Sequence, residues 1–275
     1  MRSLVVVAVV YDGDGLSVFI RKFCRFIKGL PVEKVLVVDN GLLGQGIVSQ
    51  WVRALDRGIQ CEYLKGSNRF WEFSGWQEGA DALRGAADEN QSFLFVNDTV
   101  FSNRCFSGLV GYFFRSALEW AMQRPRVAVG EVMRTREPWV VAGRRGTRWI
   151  STYMYLLSFD VLEMINWQIF DRNLYDISVQ NHEFNGPFCA SFSTHLRRYL
   201  MEGGVTGWHG TRQQCGIQKL ITKAGCLAAE FSLSRVIEEK AVPLVDIFDR
   251  YPLVKKLRSA QYYFFEMMIL YWRKH

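Results

Sequence analysis

Leu4 to Gly41 reads LVVVAVVYDGDGLSVFIRKFCRFIKGLPVEKVLVVDNG, and this stretch decides the fold. Leu4–Val10 is an unbroken, β-branched apolar run, as a strand covered on both faces requires. Leu16, Phe19, Ile20, Phe23, Phe26, Ile27 and Leu30 then fall on one stripe at helical spacing. Gly29 and Pro31 stop that helix. Val35–Val38 repeats the buried-strand pattern and ends at Asp39-Asn40-Gly41. A strand, a crossover helix and a second strand of this kind pair in parallel.

The alternation continues outward. A second helix carries Ile47, Trp51, Ala54 and Leu55 and closes at Gly58, and Ile59–Leu64 reads as the third strand. Trp76, Ala80, Leu83 and Ala87 mark a third helix, and Phe93–Val96 is a fourth strand running into Asn97-Asp98-Thr99. The pattern predicts a layered α/β domain with a mostly parallel sheet. Beyond residue 125 it loosens. Val127–Val132 and Ile150–Leu157 read as strands, and Phe159–Ile165 begins a helix. Glu131 to Arg148 carries Arg134, Arg136, Arg144, Arg145 and Arg148 with Gly143 and Gly146, which reads as a mobile loop suited to clamping phosphate. Residues 171–211 read as loop and short helix, and Gly216–Ala224 as a helix ended by Gly225.

The chain has 275 residues, 49% hydrophobic and 22% charged, which excludes wholesale disorder. A net charge of +7 favours anionic partners such as phosphorylated ligands or an anionic membrane face. No stacking motif or groove-reading helix points to nucleic acid. Six cysteines without a C-x-x-C pair predict free thiols in a reducing, cytoplasmic setting and exclude a zinc ribbon. Neither Leu4–Tyr11 nor Tyr262–Trp272 is long enough to cross a bilayer. Asp12 and Asp14 follow the first run where a signal peptide would have a cleavage site.

In parallel sheets ligands sit outside the carboxyl ends of the strands. The candidates are therefore Asp12 and Asp14, then Asp39 and Asn40, Ser67 and Asn68, and Asn97 and Asp98. Gly13 and Gly15 fit the start of a dinucleotide fingerprint, but Val18 occupies its third glycine position. A Rossmann enzyme using NAD or S-adenosylmethionine is thus a rival reading. A strand-end Asp39 suits hydrogen bonds from a base or ribose. Asp98 suits Mg²⁺ or Mn²⁺ bridging a diphosphate. Taken singly, both residues also suit ordinary turns.

Val37-Val38-Asp39-Asn40-Gly41, Asn68 with Gly75-Trp76-Gln77-Glu78-Gly79, and Phe95-Val96-Asn97-Asp98-Thr99 occur in order, each after a strand. Together they resemble the nucleotide-sugar half of the GT-A glycosyltransferases, particularly family-2-like enzymes that build bacterial polysaccharides such as lipopolysaccharide. The resemblance implies a three-layer α/β/α domain with a mostly parallel sheet and an elaborated helical C-terminal part. Residues 1–125 would bind the nucleotide-diphosphate sugar, 126–235 the glycan or lipid-linked acceptor, and 236–275 would form a basic, aromatic helical segment. It implies donor contacts at Tyr11, Asp12, Asp39, Asn68, Gln77, Asn97 and Asp98, and a divalent cation at Asp98 and His209. Ile169-Phe170-Asp171, Tyr175-Asp176 and Glu183 echo the acceptor segment, so Asp171, Asp176 and Glu183 are candidates for the base of an inverting transfer, with no choice among them. Val96 stands where the family's first metal carboxylate would be, Gln77 where it has Asn, and Leu42 where it has Ser. Val96 and the missing Glu-Asp pair keep open an inactive binding or scaffold protein on the same fold. Lys255, Lys256 and Arg258 precede the aromatic run of 262–272, which fits an interfacial helix on an anionic membrane or a docking helix for a partner enzyme equally.

Overall fold

The computed structural model describes residues 2–11, 13–101, 108–202 and 216–257. Asp12, His209 and the stretch from Arg258 onward, all singled out from the sequence, lie outside the described residues.

Four β-α repeats open the chain. Strand β1 (Ser3–Val10) leads to α1 (Gly13–Ile27), β2 (Val32–Asp39) to α2 (Gly46–Ala54), β3 (Gln60–Lys65) to α3 (Trp71–Arg84), and β4 (Gln91–Asn97) to α4 (Gly108–Ala121). Strands β5 (Ala128–Val141) and β6 (Arg144–Ser158) then form a long antiparallel hairpin. After α5 (Phe159–Met164) comes a small ribbon of β7 (Ser178–Gln180) and β8 (Glu183–Asn185), then α6 (Ala190–Arg197), α7 (Ile217–Glu239) and β9 (Leu244–Asp246). The main sheet is seven-stranded, in the order β3-β2-β1-β4-β6-β5-β9. Pairings β3-β2, β2-β1, β1-β4 and β5-β9 are parallel, and β6 runs antiparallel to both its neighbours. The expected mostly parallel α/β sheet is the one observed.

Alternation along the strands divides the core into two layers. Val5, Val7 and Val9 face α3 and α7, packing on Phe73, Trp76 and Phe231. Leu4, Val6, Ala8 and Val10 face α1, α2 and α4, packing on Phe23, Trp51 and Phe114. Both faces of β1 are dry, which is why its sequence carries no polar alternation.

Two expectations are corrected. The arginine-rich stretch expected as a mobile loop is the β5–β6 hairpin, closed by Ala142 and Gly143 with φ of 49° and 76°. Two left-handed central residues make the tight turn that matches strand twist. Its Arg144 and Arg148 pair with Glu239 and Glu238 at the end of α7. The helix expected to end at Gly225 runs on to Glu239. Gly225 is not a stop signal but a contact: a Cβ there would sit 2.2 Å from the Tyr175 ring. Helix and ring approach so closely that no side chain fits.

Candidate functional site

Strand order fixes where a ligand can enter. From β1 the chain builds β2 and β3 to one side and then crosses back to place β4 on the other. The crossover helices α1 and α3 lie on opposite faces, so the carboxyl ends of β1 and β4 flank the switch point at which open α/β sheets form their ligand crevice. Tyr11 and Asp98 meet there. The Tyr11 backbone N–H donates to Asp98 Oδ2 at 2.6 Å, across 87 residues of sequence. Asn97 beside it accepts from the Thr99 hydroxyl at 2.8 Å.

Asp39, at the end of β2, is completely buried. Its Oδ1 accepts from the amides of Gly41 and Leu43 at 3.1 and 3.0 Å. Its Oδ2 accepts from the Gly44 amide at 2.8 Å and the Tyr63 hydroxyl at 3.1 Å. The carboxylate therefore organises the loop after β2 from inside. Gly41 passes so close to Tyr11 that a Cβ would lie 2.3 Å from the Tyr11 carbonyl oxygen, locking this loop against the end of β1. Asn40 completes the junction, its amide donating to the Trp71 carbonyl at 2.9 Å.

The other expected residues spread out from this point. Asn68 is exposed, with a left-handed φ of 52°, in the loop between β3 and α3. Gln77, on α3, is engaged with the segment that follows α5. It donates to the Trp167 carbonyl at 3.0 Å and accepts from Ile169 N–H at 2.8 Å, so it fastens the 167–170 segment to α3. Asp171 caps a short 3₁₀ turn, accepting from Asn173 N–H at 2.9 Å. Glu183 is paired with Arg197 at 3.1 Å. Asp176 is exposed in a shallow groove with Asn173, Ser178 and Asn185. The three base candidates thus stand in three different settings: a turn cap, an ion pair and an exposed groove.

Among the described residues no group of three or more His, Cys, Asp or Glu could hold a metal ion. Asp98 fits a divalent cation only where one carboxylate shares the ion with the ligand's own phosphates, a mode common for Mg²⁺.

A buried polar cluster behind the crevice went unnoticed in the sequence. Glu72, in the first turn of α3, lies 3.7 Å from Lys223 of α7, their side chains 9% and 16% exposed. The Tyr175 hydroxyl contacts Cys226 Sγ at 3.4 Å, and Glu230 accepts from the Thr152 hydroxyl at 2.7 Å. Burial pushes the Tyr11 phenol well above its ordinary pKa, and the nearby Glu72 carboxylate adds to the shift. Glu230 is raised by burial, opposed by the charge on Lys223. Lys223 is raised despite its burial, because Glu72 is the nearest of several groups that favour its cation. The only sequence signal was two charges, Glu72 and Glu230, standing on otherwise apolar helix stripes.

No protein-family model and no curated protein matches the chain. Among solved structures, it is similar over part of its length to the mannosyltransferase PcManGT from Pyrobaculum calidifontis, in complex with GDP-Man and Mn²⁺. That match has 16% identity and a TM-score of 0.39, and covers 60% of this chain and 46% of that one. The chain therefore spans less than half the length of that protein. HddC from Yersinia pseudotuberculosis is similar at 12% identity and a TM-score of 0.33, over 59% of this chain and 79% of that one.

Proposed function

We propose that the chain is a glycosyltransferase that moves a sugar from a nucleoside-diphosphate donor to a hydroxyl of a glycan or lipid-linked glycan, with inversion, on the cytoplasmic side of the membrane. The observation that carries this reading is the Tyr11–Asp98 hydrogen bond at the strand-order reversal. It holds the buried Asp98 carboxylate at the carboxyl end of β4, on the side of the sheet where a cation bridging a diphosphate would need one. The loop that Asp39 organises and the exposed Asn68 border the nucleoside side of that crevice, and Asn97 the diphosphate side. Gln77 acts indirectly, by fixing the 167–170 segment. Of the three candidate bases, Asp176 has the exposed carboxylate, whereas Asp171 and Glu183 already serve a turn and an ion pair.

Thermal shift of the full chain with UDP, GDP, TDP, CMP, NAD⁺ and S-adenosylmethionine, each with and without Mn²⁺, tests the reading. One nucleoside diphosphate should stabilise the protein, with an increment from Mn²⁺ that disappears in Asp98→Ala. A shift by NAD⁺ or S-adenosylmethionine alone would overturn it. A second reading, a protein that binds the donor without transferring, draws on Val96, which is wholly buried where a second carboxylate would stand. Binding of a nucleotide sugar with no turnover on any acceptor would favour it.

A further inference from the structure

We propose that the outer face formed by the start of α4 and the helix over 252–257 docks on an anionic lipid bilayer. This inference is independent of the transferase reading. Leu109 and Tyr112, one turn apart on α4, are 62% and 59% exposed, and Leu253 and Leu257, one turn apart on the last described helix, are 75% and 71% exposed. Few other large apolar side chains among the described residues are so open, and these belong to two elements that are tied together. The Tyr251 hydroxyl donates to Ser116 Oγ at 3.0 Å, the Tyr251 ring lies 4.5 Å from that of Phe113, and the Tyr112 ring lies 6.1 Å from that of Tyr251. An open apolar face of this kind marks a binding surface.

Charge decides the occupant. The acids of this region are already neutralised, Asp249 by Lys255 and Glu119 by Arg115. Arg250 spends its guanidinium on the neutral Ser116 carbonyl and hydroxyl, so its charge is not cancelled there. Lys256 is exposed between Leu253 and Leu257. The chain continues from this face for a further 18 residues, 258–275, which hold Arg258, Arg273 and Lys274 against a single acid, Glu266. The same residues include Tyr262, Tyr263, Tyr271 and Trp272, the amphipathic aromatics that favour the headgroup level of a bilayer, together with the apolar Phe264 and Phe265. Exposed leucines, a surplus of cations and interfacial aromatics together fit a bilayer with anionic headgroups. No described helix is long and apolar enough to cross a membrane.

Co-sedimentation of the full chain with vesicles tests this. Vesicles of phosphatidylcholine containing about one-third phosphatidylglycerol should bind the protein at least tenfold more tightly than phosphatidylcholine alone, an advantage that added salt should reduce. The double variant Leu109→Gln/Leu253→Gln changes one exposed leucine on each element and leaves the Tyr251 contacts that tie them in place. It should lose about tenfold in vesicle binding while keeping the wild-type melting temperature. Vesicle binding that ignores this variant would overturn the proposal, because the tail would then act without this face. Absence of binding to the anionic vesicles would also overturn it, and concentration-dependent dimerisation lost in the same variant would assign the face to a second copy instead.

Discussion

Replacing Lys223 by Met tests whether the buried Glu72–Lys223 pair holds α7 against α3. The pair is separated by 3.7 Å with side chains 9% and 16% exposed, so solvent screens it little. At an effective dielectric of about 20, 332/(20 × 3.7) gives roughly 4–5 kcal/mol of attraction. Much of that attraction offsets the cost of desolvating both ions, so the pair's net worth is small. Removing one partner is different, because the other charge stays buried and uncompensated, at a cost of about 3–5 kcal/mol. Urea unfolding at pH 7 should show a loss of that size for Lys223→Met. The double variant Glu72→Gln/Lys223→Met should lose at least about 1.5 kcal/mol less than the two single losses combined. The pH dependence supplies an independent sign. Lys223 currently lowers the Glu230 pKa against the upward push of burial. Without Lys223 the folded state holds the Glu230 proton to higher pH than the unfolded state does. Stability then falls as pH rises through the folded value, so the deficit should be larger at pH 8 than at pH 5. A loss below about 1 kcal/mol, additivity in the double variant, or a deficit that shrinks with pH would refute the reasoning.

Gly225→Ala should destabilise the protein, although alanine ordinarily gains about 1 kcal/mol over glycine inside a helix. A Cβ 2.2 Å from the Tyr175 ring forces that ring out of its contacts, an overpacking cost of about 1–3 kcal/mol or more; a raised melting temperature would contradict this. Asp39→Ala should cost about 2–3 kcal/mol, less than the sum of its lost charge-assisted hydrogen bonds because water can reach the loop amides. It should also speed proteolysis within residues 41–45, and an unchanged cleavage rate would show that the carboxylate does not hold the loop. Asp246 is pushed by burial from 3.8 up to about 6, so its proton is bound more tightly in the folded state. Its contribution is full below the unfolded pKa and is lost as pH rises to about 6, roughly 3 kcal/mol in all. The pH 4 to 6 slope of the urea midpoint should flatten in Asp246→Asn, and an identical slope in both proteins would reject the assignment.

What could be read from the sequence follows from how many faces of an element are buried in a uniform medium. Strand β1 and helix α1 each meet one simple environment, a dry sheet interior or a single apolar layer, so their patterns are clean. Helix α7 defeats periodicity for the opposite reason. From Ala224 to Ile237 it is buried almost all round, and it carries Glu230 and Arg235 inside with alanine, serine and glycine. Its polar residues find partners on β6, where Ser234 accepts from Ile150 N–H at 2.9 Å and Glu230 from Thr152. Those partners lie about 80 residues away, at a distance no local spacing records. The β5–β6 hairpin was misread because arginine and glycine suggest a solvated loop. Two of its arginines, Arg144 and Arg148, are anchored by acids at the end of the same α7.

The same contrast runs through the candidate site. Strand ends are legible because a polar residue after an apolar run stands out, and Tyr11, Asp39, Asn97 and Asp98 do lie at the carboxyl edge of the sheet. Their division of labour was not legible, since it depends on which donors the fold brings near each carboxylate. Asp39 meets three amides of its own loop and a hydroxyl from β3, whereas Asp98 meets the amide of Tyr11 at the point where strand order reverses. The two aspartates look alike in sequence and both are buried, but Asp39 is bound into its own loop whereas Asp98 joins two strand ends far apart in the chain. A ligand-binding effect confined to Asp98→Ala, with Asp39→Ala acting mainly through stability, would separate the two roles. Equal loss of binding in both, at matched stability, would show that the sequence reading of Asp39 as a direct nucleoside contact describes the site better than its hydrogen bonds do.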